Sequence, residues 1–185
     1  MNRLEALLDS YSNFIAIPWR EGVAPAQRVI FCLYRKEDEC VIRARIGEFE
    51  IATRQAHHEW ILFDLTDSFG EWLAAQYYAE KYFEKPELLN GLYHRYKEYI
   101  AETFQSFIEQ HKAGPNHVVA LMGVGELFGF SKVNEIVDVL SPMVKGRLVV
   151  FFPGSYENNN YRFFDAYDGW NYLAVPITDH YEEHM

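Results

Sequence analysis

The stretch that most constrains the fold runs from His117 to Gly154, HVVALMGVGELFGFSKVNEIVDVLSPMVKGRLVVFFPG, where two short apolar runs bracket one amphipathic segment. Val118 to Met122 is rich in β-branched residues, too short for a helix and closed by Gly123 and Gly125. That is the pattern of a strand buried on both faces. Leu148 to Phe152 repeats it. Between them Ser131 stands at an N-cap position, Val133, Ile136, Val137 and Leu140 recur at three- and four-residue spacing, and Pro142 ends the helix. The order predicts two parallel strands joined by a right-handed helical crossover, with the loops at their carboxyl ends open to function.

An apolar strand ending in Gly123-Val124-Gly125, a polar-faced helix, and a strand ending in Phe151-Phe152-Pro153-Gly154 with Tyr156 beyond it together resemble the BrxB family of the BREX bacterial phage-defence systems. The resemblance continues into Phe164, Asp165, Asp168, Gly169, Asn171 and Tyr172, and loosely covers the N-terminal strand and helix. No enzymatic motif defines that family. The resemblance implies a non-enzymatic adaptor whose partner is the PglZ-like, alkaline-phosphatase-like component of the same system. The setting it implies is a larger assembly that includes a DNA methyltransferase and an ATPase.

With 185 residues and 49% hydrophobic content, the chain suits a single domain over 1–185. No window approaches the roughly eighteen uninterrupted apolar residues of a membrane span, and MNRLEALLDS lacks the apolar core of a signal peptide. A cytoplasmic protein with no membrane contact is expected, with Cys32 and Cys40 reduced. Seventeen basic residues against twenty-seven acidic give a net charge of −10. The bases are scattered singly among acids, as in Arg35-Lys36-Glu37-Asp38-Glu39, so direct nucleic-acid binding is not expected.

Leu4, Leu7, Leu8, Tyr11 and Phe14 predict an amphipathic helix over residues 3–16, ending before Pro18 and covering a sheet face. Arg28 to Tyr34 is the first strand. Residues 36–56 fit either a hairpin, with Ile42, Ala44 and Ile46 alternating, or a helix, with Ile42, Ile46, Phe49, Ala52 and Ala56 on one face. The helix is preferred, partly because the family resemblance implies it, and Gly47 inside it costs roughly 1 kcal/mol. It would make Trp60 to Asp64 a parallel neighbour of the first strand. A helix over 69–80 follows, with Asp67 or Ser68 as its cap.

Pro86 opens a long helix whose stripe is Leu89, Tyr93, Tyr96, Ile100, Phe104, Phe107 and His111. At about 24 residues it would run roughly 36 Å. The stripe either packs on the sheet or offers a partner groove. After Gly154, Asn158 to Asn160 favour a turn, and Asp168-Gly169 predicts a β-hairpin pairing Tyr161 to Tyr167 with Trp170 to Val175 and finishing the sheet antiparallel. The tail after Pro176 is acidic and expected to fray.

Enzymatic signatures are weak. No GxxxxGK[ST] or GxSxG occurs, and position 128 is Phe where a dinucleotide fingerprint beginning at Gly123 needs Gly. His57 and His58 are adjacent, without companions at zinc spacing, and are read as a helix terminus. Asp64 closes a βα turn on nearby amides more naturally than it serves catalysis. The reading is therefore a mixed, mainly parallel α/β sheet of five or six strands flanked by helices. Its core is like that of a P-loop ATPase without the phosphate loop, and a C-terminal β-hairpin completes it. No cofactor, metal or small-molecule substrate is expected. The alternative is a degenerate nucleotide-responsive or hydrolytic enzyme using the loops around Asp64, 123–129 and 154–160.

The expected partner surface is the hairpin, with Tyr161, Arg162, Phe164, Trp170 and Tyr172 as anchors. Alternation places Tyr161, Phe163, Asp165 and Tyr167 on one face and Arg162, Phe164 and Ala166 on the other, so aromatics fall on both. The outer face is either a partner contact or covered by the N-terminal helix.

Overall fold

Val29–Tyr34, six consecutive buried residues, forms β1 in the interior of the sheet. The computed structural model describes residues 2–164 and 172–179. Around β1 the chain builds α1 (Arg3–Ile15), α2 (Glu39–Ala44), α3 (Ile46–Gln55), β2 (Glu59–Asp64), α4 (Ser68–Ala74), α5 (Ala79–Glu84), α6 (Tyr93–Gln110), β3 (His117–Met122), α7 (Val133–Leu140), β4 (Arg147–Glu157), β5 (Asn160–Phe163) and β6 (Val175–Ile177). The sheet order is β2-β3-β4-β1-β6, with β5 on β4 outside that path. Among the described residues every pairing is parallel except β4 with β5.

The predicted crossover is present: β3 and β4 are parallel neighbours, and α7 lies between them in sequence. Its N-cap is Lys132, however, and the Ser131 hydroxyl turns to the Lys132 carbonyl instead of capping the helix. Residues 36–56 are helical, as preferred, but divided at Arg45, where the backbone leaves helical geometry. Gly47 thereby falls in the first turn of α3 rather than in mid-helix.

Trp60 to Asp64 is not a neighbour of β1. Among the described residues its strand, β2, pairs only with β3, whereas β1 sits between β4 and β6. Burial explains the exchange, since β1 and the first part of β4 are enclosed on both faces while β2 is partly exposed and suits an edge.

Alternation along the strands divides the core. Val29, Phe31, Leu33, Leu148, Val150 and Phe152 face α4, α6 and α7. Ile30, Cys32, Tyr34, Val149 and Phe151 face α1, α2 and α3, so the N-terminal helix does cover a sheet face. Each large apolar side chain so buried contributes about 1.5–3 kcal/mol. Tyr11 enters this second layer with its hydroxyl 2.6 Å from Thr53 Oγ1, which satisfies two polar groups that are both fully buried.

The expected helix over 69–80 is two short helices separated at residues 75–78, where Tyr77 and Tyr78 are exposed. The long aromatic helix is also shorter than expected. Pro86–Gly91 is a 3-10 turn, and α6 proper has 18 residues. Asn90 and Gly91 are poor helix formers, which accounts for the late start. Of its stripe, Leu89, Tyr96, Ile100 and Phe104 are buried in the core, with Tyr93 and Phe107 packed beside them. It is therefore a packing surface rather than a groove.

The carboxyl-terminal pairing differs from the expected one. β4 overshoots β1, whose last partner is Pro153, and folds back through Asn158-Asn159 to pair with β5. Both asparagines take positive φ, 51° and 62°, as a tight two-residue hairpin turn requires. β6 ends the sheet parallel to β1 rather than antiparallel, because the unpaired edge of β1 receives Val175–Ile177 and buries Ile177 against the α1 side. Asp168-Gly169 and Trp170 lie outside the described residues, as does the acidic tail from residue 180.

Candidate functional site

At the carboxyl ends of the parallel strands, the position most used for chemistry in α/β folds, the polar groups bind one another. The Asp64 Oδ1 accepts from the Thr66 amide at 2.9 Å and the Thr66 hydroxyl at 2.5 Å. Arg43 donates to Asp64 Oδ2 at 2.8 Å, to Thr66 Oγ1 at 2.6 Å and to Glu39 at 3.2 Å. The Tyr34 hydroxyl donates to Glu39. Burial alone pushes the Asp64 carboxyl up, but the bonds from Thr66 and Arg43 outweigh it and hold the group below the usual carboxylate range. Glu126 moves the opposite way, raised by burial and by the charges of Asp67 and Asp64.

Asp64 thus closes the turn on nearby amides, as the sequence suggests. Asp67 stands at the N-cap of α4, as expected, but its side chain makes no capping bond there, and the Ser68 hydroxyl is taken by the Leu65 carbonyl and Tyr96. Gly123 closes the same corner with φ +77°. A Cβ there would lie 2.6 Å from the Thr66 nitrogen, so the loop after β3 is seated directly on the Asp64 turn. Among the described residues no group of three or more His, Cys, Asp or Glu is placed to hold a metal ion.

Beyond that corner the loop from Gly123 to Phe130 turns one aromatic inward and one outward. Phe130 stacks on Phe69 with centroids 4.3 Å apart. Phe128 is 55% exposed and meets Phe164 edge-on at 5.1 Å and Phe163 at 5.8 Å. Phe128 thus keeps apolar area at the surface while two neighbouring rings pack against it.

The anchors expected from sequence separate into different environments. Tyr161 is wholly buried, packs edge-on against Phe31 and donates its hydroxyl to the Ala174 carbonyl at 2.6 Å, so it belongs to the core. Arg162 is exposed on the outer face of β5, as alternation requires. Phe164, half-buried at φ +52°, leaves the strand and joins Phe128. Tyr172 is half-buried, with its hydroxyl donated to Asp138 on α7 at 2.9 Å. Trp170 is not among the described residues. Phe128 was not distinguished by sequence, because a lone Phe between two glycine-flanked turns has no periodicity to mark it.

The opposite end of the sheet holds a cleft of about 530 Å³ between the segments that lead into the parallel strands. Arg28 precedes β1, His58 precedes β2, Pro115 and Asn116 precede β3, and Lys145 and Arg147 enter β4. Trp19 forms one wall. The His58 ring stacks on it at 3.7 Å, nearly parallel, and the Arg147 guanidinium lies 4.8 Å over its ring. The Asn116 amide donates to the His57 carbonyl at 2.9 Å, which leaves its oxygen to accept from His58 Nδ1 at 2.6 Å. The histidines therefore do more than end a helix. His57 closes α3 at φ 64°, and His58 holds the cleft wall.

A family model described as BREX protein BrxB matches residues 61–177, from within β2 to the end of β6. The matched span contains Phe128, Arg162, Phe164 and Tyr172 as well as β3, α7 and β4. Trp19, Arg28 and His58 precede it. No curated protein matches the chain, and no solved structure does.

Proposed function

The chain belongs to the BrxB family and is a component of a BREX phage-defence system, and from that premise we propose that it works as a non-enzymatic adaptor that docks a PglZ-like partner. The observation that carries the reading is Phe128, an exposed aromatic braced by Phe163 and Phe164 at the carboxyl end of the sheet. Interface energy concentrates in aromatic and arginine anchors, and Arg162 supplies a cation on the adjoining strand. The docking surface is therefore the Phe128 loop with the outer face of β5, while Tyr161 supports it from within.

The adaptor reading is supported further by the state of the Asp64 corner. Its carboxylate is committed to Thr66 and Arg43, and Gly123 fills the space above it. Among the described residues no helix is long and apolar enough to cross a membrane.

The test is to purify the chain with and without the other components of its system and to measure the mass of the complexes. A defined complex with the PglZ-like component is the expected result. A chain that stays alone, or that hydrolyses nucleotide in a homogeneous preparation and loses that turnover in Asp64→Asn, would contradict the reading.

A further inference from the structure

The cleft at the amino ends of the strands gathers Arg20, Arg28, Lys145 and Arg147, against the one carboxylate of Glu21 among the described residues that line it. These cations are spread over more than a hundred positions of a chain whose net charge is −10, and the fold nonetheless brings them to one place. Among the described residues none of the four forms an ion pair with an acid. Arg43, Arg45 and Arg54, elsewhere on the surface, each hold at least one carboxylate.

The guanidiniums are also fixed in position. Arg147 donates to the carbonyls of Gly146 and Arg20, both at 3.1 Å, and Arg28 donates to the carbonyl of Lys145 at 3.1 Å. Each still has donors left over, since a guanidinium carries five N–H groups. The Nε of Arg28 is buried and has no hydrogen-bond partner among the described residues. Burial lowers the Arg147 guanidinium below its usual value, and the charge of Arg28 lowers it further. Two cations that repel each other while partly withdrawn from water cost stability, and an anion between them would remove that cost.

We propose that this cleft binds a multiply charged phosphate group, as carried by a nucleotide or by the terminal phosphate of a nucleic-acid strand. Rigid guanidinium forks match phosphate oxygens bidentately, and two or more negative charges answer several clustered cations better than a single carboxylate does. The volume of about 530 Å³ accommodates a ligand of mononucleotide size. This inference does not depend on the docking surface, which is formed by other residues at the other end of the sheet.

The experiment titrates the full-length chain with inorganic pyrophosphate at physiological salt, followed by calorimetry and by melting temperature. Saturable one-to-one binding is expected. It should weaken about tenfold in Arg28→Gln, with a smaller loss in Lys145→Gln, an exposed position whose change leaves the melting temperature of the free chain unaltered. Absence of saturation overturns the proposal. Binding undiminished in both variants, or matched by chloride at equal ionic strength, also overturns it. Two further titrations identify the source. A preference for a 5′-phosphorylated oligonucleotide over its 5′-hydroxyl form assigns a strand end, and tighter binding of a nucleoside diphosphate than of either assigns a free nucleotide.

Discussion

The guanidinium of Arg43 lies 2.8 Å from the carboxylate of Asp64, joining the short helix after β1 to the carboxyl end of β2. Because Asp64 is held below the usual carboxylate range, its contribution to stability is present above that range and is lost as pH falls through its lowered value in the folded state. Asp64→Asn should therefore flatten the acid limb of a plot of melting temperature against pH. Both side chains are more than a third exposed, so the loss at neutral pH should be modest, about 1 kcal/mol or less. An unchanged acid limb would show that other carboxylates govern acid unfolding.

The corner above Asp64 depends on a glycine. Gly123→Ala must hold a side chain at φ +77° and place its Cβ 2.6 Å from the Thr66 nitrogen, so it should destabilise by at least about 2 kcal/mol in denaturant melts. Gly125→Ala is the control. Its Cβ would make an ordinary 3.6 Å contact with Phe164, and stability should change by about 0.5 kcal/mol or less.

Tyr161 and Arg162 are adjacent and should behave oppositely. Tyr161→Phe leaves the buried Ala174 carbonyl without its 2.6 Å donor and should cost about 1–3 kcal/mol in urea unfolding. Arg162→Ala, on the exposed face, should change stability by about 0.5 kcal/mol or less. Equal effects would mean that the β5 face assignment is wrong.

The elements visible in the sequence are those whose signal is local. The runs at Val118 to Met122 and Leu148 to Phe152 read as doubly buried strands, and the spacing of Leu4, Leu7 and Tyr11 marks a helix with one apolar face. Strand neighbours were not local. β2 and β4 both follow helices and could each lie beside β1, and the choice rests on how completely each is buried. The C-terminal pairing was obscured for a related reason. β4 runs past the end of β1 and takes β5 as its antiparallel partner through a turn at Asn158-Asn159, a pairing that the asparagines, which favour a turn, do not by themselves announce, while Asp168-Gly169 lies outside the described residues.

The candidate sites show the same limit. Arg162 on an outer face followed from alternation, but the burial of Tyr161 depends on Phe31, 130 residues away in the chain. The basic cleft has no signature in the sequence, because its lysine and arginines do not lie in one run. Arg28 and Arg147 are far apart in sequence and meet only because β1 and β4 are parallel and in register from Val29 and Leu148, which brings the residues just before them together.

The proposed docking role of Phe128 is tested by the dissociation constant of the PglZ-like component for the wild-type chain and for Phe128→Ala, each checked for its melting temperature. With Phe128 already 55% exposed, the variant should keep its fold and lose at least about 2 kcal/mol of binding, a factor of roughly thirty. A folded Phe128→Ala that binds the partner as tightly as the wild type would contradict the account.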